Sequence, residues 1–141
     1  MMITVFNKYQ GAGNDFIIID NREGIFNPGD SNLINKLCDR RFGIGADGLI
    51  LISGSPQYDF EMKYFNSDGF EGTMCGNGGR CSADFAIRAG IAGKKITFKA
   101  VDGVHKAVSE KGIIRLQMND VKVPQLINGS YFINTGSPHY V

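Results

Sequence analysis

The chain has 141 residues, of which 43% are hydrophobic and 21% are charged, a composition typical of a globular domain with a buried core. Its 15 basic and 14 acidic residues give a net charge of +1 and are spread along the sequence, which excludes a basic nucleic-acid-binding surface. The three cysteines form neither a disulfide framework nor a CxxC pair, and there is no signal peptide or long apolar run. We therefore expect a reduced, cytoplasmic protein with no nucleic-acid partner and no membrane contact.

The first part of the chain alternates short apolar runs with turns that contain glycine. Strands are predicted at 3–9 and 16–20, joined as a hairpin by a polar turn. A short helix follows, capped at its N-terminus by Asp30 or Ser31 and stopped by Gly43. Two further strands then complete this part of the chain, at 49–52 and 59–65.

A longer helix begins at Gly76, is apolar on most sides and ends at Gly90 as its C-cap. Four more strands follow it, at 95–100, 104–109, 113–118 and 131–134. These elements predict an α+β fold in which a mixed, mainly antiparallel sheet wraps around one central helix.

Cys75 lies directly before this longer helix, in the segment MCGNGG. A helix N-terminus offers unpaired amides and the positive end of the helix dipole, so it binds anions and favours a thiolate over a thiol. Three glycines leave those amides unshielded, and a carboxylate bound there would bring its α-carbon beside Cys75. A lone cysteine is more often a packing residue, which is what we expect of Cys38 and Cys81, but the surrounding glycines favour function for Cys75.

Two turns rich in Asn and Asp form a second set of candidates. Asn14 and Asn66 lie at the ends of neighbouring predicted strands, where their amides could hydrogen-bond a small amphoteric ligand. Each, taken alone, is also explained as a turn residue.

The segment GIGADG at 43–48 matches the dinucleotide-binding pattern GxGxxG, but a helix enters it and a strand leaves it. The pattern binds pyrophosphate only in the opposite order, so we predict a tight helix-to-strand turn and no nucleotide site. His105 is predicted to be a surface or packing residue. His139 follows Gly-Ser-Pro in a predicted turn, where an orienting or proton-relay role is open. No ligand spacing indicates a metal.

Four segments together resemble the diaminopimelate epimerase family in order and spacing. They are KYQGAGNDFIIID at 8–20, CDRRFGIGADGLI at 38–50, FNSDGFEGTMCGNGGRC at 65–81 and TGSPHYV at 135–141. The resemblance covers the whole chain but only the first half of the family's length. It implies two similar lobes, each a mixed sheet around a central helix, with the substrate between two opposed helix N-termini.

By position, the resemblance makes Cys75 one of two catalytic cysteines. It makes Gly76 and Asn77 the carboxylate-binding helix start, and Asn14 and Asn66 substrate-binding residues. His139 matches a position near the catalytic centre. Some members have glutamine at the position of Gly48 and asparagine at that of Ser137, which leaves substrate contacts from these two positions open.

The implied reaction is cofactor-independent epimerisation of LL- to meso-diaminopimelate, in which one group removes the α-proton and a second returns one to the opposite face. We expect residues 1–117 to form the first lobe and 118–141 to open a second lobe that is otherwise missing, so that the chain alone is inactive. The missing lobe is then a required partner, and homodimer formation is left open. The alternatives are a proline-racemase-like enzyme and a non-catalytic ligand-binding module.

Overall fold

The computed structural model describes residues 3–141. Its elements in chain order are β1 (Asn7–Gly11), β2 (Asn14–Asp20), α1 (Ser31–Cys38), β3 (Gly48–Ser53), β4 (Phe60–Asn66), α2 (Gly76–Arg88), β5 (Lys95–Ala100), β6 (Gly103–Glu110), β7 (Ile113–Gln117), β8 (Gln125–Ile127), β9 (Ser130–Asn134) and β10 (Pro138–Tyr140). In this range, no helix is both long and apolar enough to cross a membrane.

The seven strands β1 to β7 form one sheet in chain order, with two parallel pairs among antiparallel neighbours. The parallel pairs are β2 with β3, connected through α1, and β4 with β5, connected through α2. Since β4 is antiparallel to β3, the second connection starts in the opposite direction from the first. Right-handed crossovers then require the two helices to cover opposite faces of the sheet.

The two faces have separate hydrophobic cores. α2 supplies Cys81, Ala83, Phe85 and Ala86 to the larger core, against side chains from β2 to β6. α1 covers the other face, where Ile34 and Cys38 pack against β2, β3 and β4. β2 and β3 are therefore buried on both sides, which explains their continuous apolar runs. The predicted α+β fold, a mainly antiparallel sheet around a central helix, is confirmed.

The first hairpin differs from its predicted boundaries. Its turn contains only Ala12 and Gly13, both with positive φ (55° and 83°), as in the two-residue turns that match strand twist. Pairing therefore continues to the turn on both sides, and β2 begins at Asn14 instead of Phe16. The predicted start at residue 3 was wrong because pairing with β2 extends back only to Asn7.

Beyond β7 the chain forms a small second sheet, in the order β10-β9-β8. Two of its strands were not predicted. β8 is only three residues long, and β10 occupies the segment in which a turn was expected around His139, because Pro138–Tyr140 pairs with β9. The segment just before β10 contacts the loop that leads into α2. There the hydroxyls of Ser137 and Thr73 are hydrogen-bonded.

His105 is a packing residue in the larger sheet, as one of the two predicted alternatives had it. Its side chain is fully buried and stacks on Phe98 with ring centroids 5.5 Å apart. Its Nε2 lies 2.7 Å from Asp102 Oδ1, and its Nδ1 lies 3.3 Å from the carbonyl oxygen of Gln117. The ring thus links the β5–β6 turn to the end of β7.

Candidate active site

Three strand ends meet at one edge of the large sheet. β2 and β3 are parallel and both begin there, whereas the antiparallel β4 ends there. The register pairs Gly48, the first residue of β3, with both Phe16 and Asn66. Asn14 is the first residue of β2 and lies two residues before Phe16. It therefore lies at the same edge as Asn66, the last residue of β4. The sequence placed these two asparagines on separate turns, and the sheet register brings those turns to the same edge.

The N-terminus of α2 lies over this edge of the sheet. A Cβ at Gly78 would lie 3.1 Å from Ile50 Cδ1, and one at Gly79 would lie 2.8 Å from Met74 Cε and 2.9 Å from Leu116 Cδ2. Side chains at these two positions would require the ends of these neighbouring side chains to move. Glycine therefore suits the close packing of this helix turn on the sheet, in addition to leaving the amides unshielded.

Cys75 is the N-cap of α2, with extended backbone (φ −111°, ψ 113°) and a half-buried side chain. The Gly78 amide donates to its Sγ at 3.4 Å, and the Gly79 amide donates to its carbonyl oxygen at 2.8 Å. The amides of Gly76 and Asn77 have no acceptor within the described chain and can bind an anion. This is the geometry predicted from the MCGNGG segment.

The Asn14 side chain lies beside the sulfur, and its amide has a defined orientation. Cys75 Sγ donates to Asn14 Oδ1 at 3.5 Å, and Asn77 Nδ2 donates to the same oxygen at 3.4 Å. On its other side, Asn14 Nδ2 donates to Asp47 Oδ2 at 2.8 Å. Because a carboxylate only accepts, the Asn14 nitrogen must face Asp47 and its oxygen must face Cys75.

A charged cluster behind Asn14 was not predicted from the sequence. Lys8 Nζ donates to Asp15 at 2.8 Å, and Arg40 Nη2 donates to Asp15 Oδ1 at 2.7 Å and to Asp47 Oδ1 at 2.8 Å. The hydrogen bonds from Arg40 and then Lys8 hold the pKa of the Asp15 carboxyl well below its usual range. The available signal was Asp15 and Asp47, two aspartates in separate glycine-containing turns.

The other ionisable groups near the site are largely buried. Burial raises the pKa of both the Cys38 and the Cys81 thiol to about 11. Burial also raises the pKa of Tyr64 to about 12, with smaller contributions in the same direction from Cys75 and Asp47. Both buried thiols and the Tyr64 hydroxyl therefore stay protonated at neutral pH.

Two predicted site residues form no hydrogen bond with Cys75 among the described residues. Asn66 is exposed, and no hydrogen-bond partner of its side chain is present between residues 3 and 141. His139 is also exposed, and its Nε2 lies 3.1 Å from Thr135 Oγ1. The segment before it does approach the cysteine, since Ser137 Oγ donates to the Met74 carbonyl oxygen at 3.5 Å.

The GIGADG segment forms the predicted turn from α1 into β3. The amide of Gly45 donates to the Leu37 carbonyl oxygen, and Gly45 has a φ of +80°. A Cβ at Gly48 would lie 2.4 Å from the Phe65 carbonyl oxygen and from the Tyr64 ring. These glycines serve close packing at the start of β3, and the segment does not open a helix as a dinucleotide site requires.

The fold has known counterparts among solved structures. A probable proline racemase from Agrobacterium radiobacter K84 superposes with a TM-score of 0.68 at 12% sequence identity, over 98% of this chain and 51% of that chain. At this identity the likeness shows the fold alone. The shared fold is a sheet wrapped around a helix. In this chain, the N-terminus of that helix carries the half-buried Cys75.

The family follows from the sequence relatives. The family model for diaminopimelate epimerase matches residues 6–123. The diaminopimelate epimerase of Flavobacterium psychrophilum is 56% identical over 95% of this chain and 53% of its own length. The diaminopimelate epimerase of Chlorobaculum tepidum is 48% identical over 93% of this chain and 54% of its own length. The chain belongs to the diaminopimelate epimerase family, and it spans about half the length of the curated relatives that it matches.

Proposed function

We propose that this chain supplies one half of the active site of a cofactor-independent epimerase that interconverts LL- and meso-diaminopimelate. The observation that carries the proposal is Cys75 at the N-cap of α2, beside two helix amides that are free to bind a carboxylate. The relatives named above support the substrate, because both bear the name diaminopimelate epimerase.

The chemistry requires two acid/base groups on opposite faces of the α-carbon. Removing the proton from one face and returning one to the other inverts the centre without a cofactor. In one direction the Cys75 thiol donates its proton to the α-carbon, and in the other its thiolate removes that proton. A second group, expected to be a cysteine on the other lobe, acts on the opposite face.

Proton removal leaves negative charge that spreads from the α-carbon into the substrate carboxylate. The amides of Gly76 and Asn77 are oriented to stabilise this charge, with the positive end of the α2 dipole behind them. Preorganised donors of this kind reduce the barrier because they need no rearrangement as the charge develops.

We propose a division of the chain at the end of the large sheet. Residues 1–117 form the first lobe, and residues 118–141, which include β8 to β10, are the opening strands of the second lobe. The substrate lies between the lobes, with Asn14 and Asn66 as hydrogen-bonding residues of the first. The role of His139 as an orienting or relay residue depends on how the remainder of the second lobe covers this segment.

The test is epimerisation by the full-length protein and by the 141-residue chain. Full-length protein should interconvert the LL and meso forms and exchange the α-proton with deuterium oxide, whereas the 141-residue chain should do neither. In the full-length protein, Cys75→Ala should lower kcat by about 10²-fold to 10⁴-fold, the range expected for loss of general acid/base catalysis.

Two controls make the test specific. Cys81→Ala changes a buried cysteine six residues further along the chain and should retain measurable activity, and exhaustive chelation should leave the rate unchanged. Proline, offered as the competing substrate, should not be racemised. Epimerisation by pure 141-residue chain, or full activity in Cys75→Ala, would contradict the proposed roles.

A further inference from the structure

The Asn14 amide is held between two groups of opposite hydrogen-bonding character. Its oxygen accepts from Cys75 Sγ and from Asn77 Nδ2, and its nitrogen donates to Asp47 Oδ2 at 2.8 Å. Turning the amide by 180° would bring its oxygen against the Asp47 carboxylate, where no proton is available to share. The Asp47 contact therefore determines which end of Asn14 the sulfur meets.

Asp47 is itself fixed on three sides. The Asp15 amide donates to Asp47 Oδ2 at 3.2 Å, and Arg40 Nη2 donates to Asp47 Oδ1 at 2.8 Å. The Asp47 amide in turn donates to the Asp15 carbonyl oxygen at 3.0 Å. The Asp47 side chain is 43% exposed, so its ion pair adds little stability, but these contacts hold the carboxylate beside Asn14.

We propose that Asp47 is a positioning residue that, through Asn14, holds a hydrogen-bond acceptor at Cys75 Sγ and so favours the thiol there, against the opposing effect of the helix N-terminus. A carbonyl oxygen at the sulfur accepts from S–H and repels a thiolate, whereas an amide nitrogen in the same place would donate to the thiolate. The proposal rests on the function proposed above, because it assigns Cys75 the proton-donor state at the start of the reaction. Substrate binding at Asn14 would then release the sulfur from this contact.

Of the other groups that the structure describes around the sulfur, only Asn77 acts in the same direction, through a longer contact. Gly78 donates to Sγ, which favours the thiolate and so opposes the contact with Asn14, and Tyr64 on β4 is protonated at neutral pH. Arg80 is hydrogen-bonded to Asn77, whose nitrogen consequently faces Asn14 and favours the same orientation from the other side. That second contact is 3.4 Å long, against 2.8 Å for the contact with Asp47.

The test is the rate of Cys75 alkylation by iodoacetamide against pH, measured by peptide mapping on the folded 141-residue chain. In Asp47→Ala the Asn14 amide can turn its nitrogen to the sulfur. Labelling at pH 7 should then be about fivefold faster, the factor expected for one hydrogen bond, and the curve should move to lower pH. Asp47→Asn keeps a carbonyl oxygen for Asn14 and should behave like the unmodified chain.

Three comparisons separate positioning from a simple loss of charge. Asn14→Ala should move the curve in the same direction, and adding Asp47→Ala to it should cause no further change. Asp20→Ala removes a carboxylate of similar exposure that pairs with Arg22 at the far end of β2, and should change nothing. If Asp47→Ala does not fold, Asn14→Ala still tests the sulfur contact.

The proposal is overturned if Asp47→Ala and Asp47→Asn move the curve equally, since charge alone would explain that result. It is also overturned if neither variant moves the curve, or if Asp47→Ala still acts when Asn14 is alanine. None of these measurements requires epimerase activity, so an inactive full-length protein would contradict the proposed function and leave this test intact.

Discussion

In both helices, α1 and α2, the N-cap side chain accepts from the amide three residues further on, but the accepting atoms differ. At α1 the N-cap is Asp30, whose carboxylate accepts from the Leu33 amide at 2.9 Å. At α2 the N-cap is Cys75, whose sulfur accepts from the Gly78 amide at 3.4 Å. Aspartate is among the preferred N-caps and cysteine is not. The residue at α1 suits stability, whereas the residue at α2 gives up capping strength and supplies an ionisable sulfur.

The helices also differ in what they bury. Two residues of α1 are buried, against seven of α2, because α1 covers one side of the sheet and the sheet wraps around α2. We infer that α2 carries most of the packing energy and that its N-terminus is therefore a rigid support for Cys75.

The largest effect should come from truncating the packed face of α2. Phe85→Ala removes a side chain that is only 6% exposed and should lower the free energy of unfolding by about 3–5 kcal/mol. Leu33→Ala on α1, where the side chain is 39% exposed, should lower it by about 1 kcal/mol or less. Urea unfolding followed by circular dichroism measures both, and similar losses would mean that the two helices contribute equally to the core.

The second prediction compares the thiols. Cys38 and Cys81 are buried, and burial raises the pKa of both thiols to about 11, so both stay protonated at pH 7. Cys75 is half-buried at a helix N-terminus and should be alkylated by iodoacetamide about 100-fold faster than either. Equal labelling in the folded protein, or Cys81 reacting first, would make Cys75 a packing residue. Labelling in denaturant, where all three should react alike, is the control.

The third prediction concerns the charged cluster of Lys8, Asp15, Arg40 and Asp47. Through Arg40, this cluster connects the segment that follows α1 to the start of β2. The pKa of Asp15 is lower in the folded chain than in the unfolded chain, so its ionised form stabilises the fold above the unfolded value of about 3.9. This contribution, about 1 kcal/mol after screening by solvent, is lost as the pH falls through and below that value.

Asp15→Asn should therefore be less stable than the unmodified chain at pH 7 and should lose less stability on acidification. Unfolding midpoints measured from pH 7 to pH 3 test this. In Asp20→Asn the lost partner is only the neighbouring Arg22, and most of the acid sensitivity should remain. An unchanged pH dependence in Asp15→Asn would show that the cluster is not coupled to folding.

The smallest effects should come from exchanging the caps. Asp30→Ala should cost about 1 kcal/mol and Asp30→Ser almost nothing, because serine also accepts from the first-turn amides. Cys75→Ser should raise stability by about 0.5 kcal/mol while activity of the full-length protein falls. Thermal unfolding of these variants provides the measurement. A Cys75→Ser variant that is clearly less stable would show that the sulfur is needed for folding, and the contrast between the caps would no longer hold.

The sequence by itself determined the local elements and the position of Cys75 directly before a helix. Apolar periodicity gave both helices and most strands of the large sheet within a few residues, since burial on one face imposes that periodicity. The glycines after Cys75 predicted a helix that begins at Gly76, and α2 does begin there. The β10 strand could not be predicted in this way, because its three residues become a strand only by pairing with β9.

Only the tertiary structure decided which side chains meet at Cys75. Asn14 and Cys75 are 61 positions apart, and Asp47 lies 33 positions beyond Asn14, so no spacing rule connects them. They come together because β2 and β3 are parallel and start at the same edge, and because right-handed crossovers put α2 on one face and α1 on the other. The orientation of the Asn14 amide follows from those contacts, since the Asp47 carboxylate accepts from its nitrogen and the Asn77 amide donates to its oxygen.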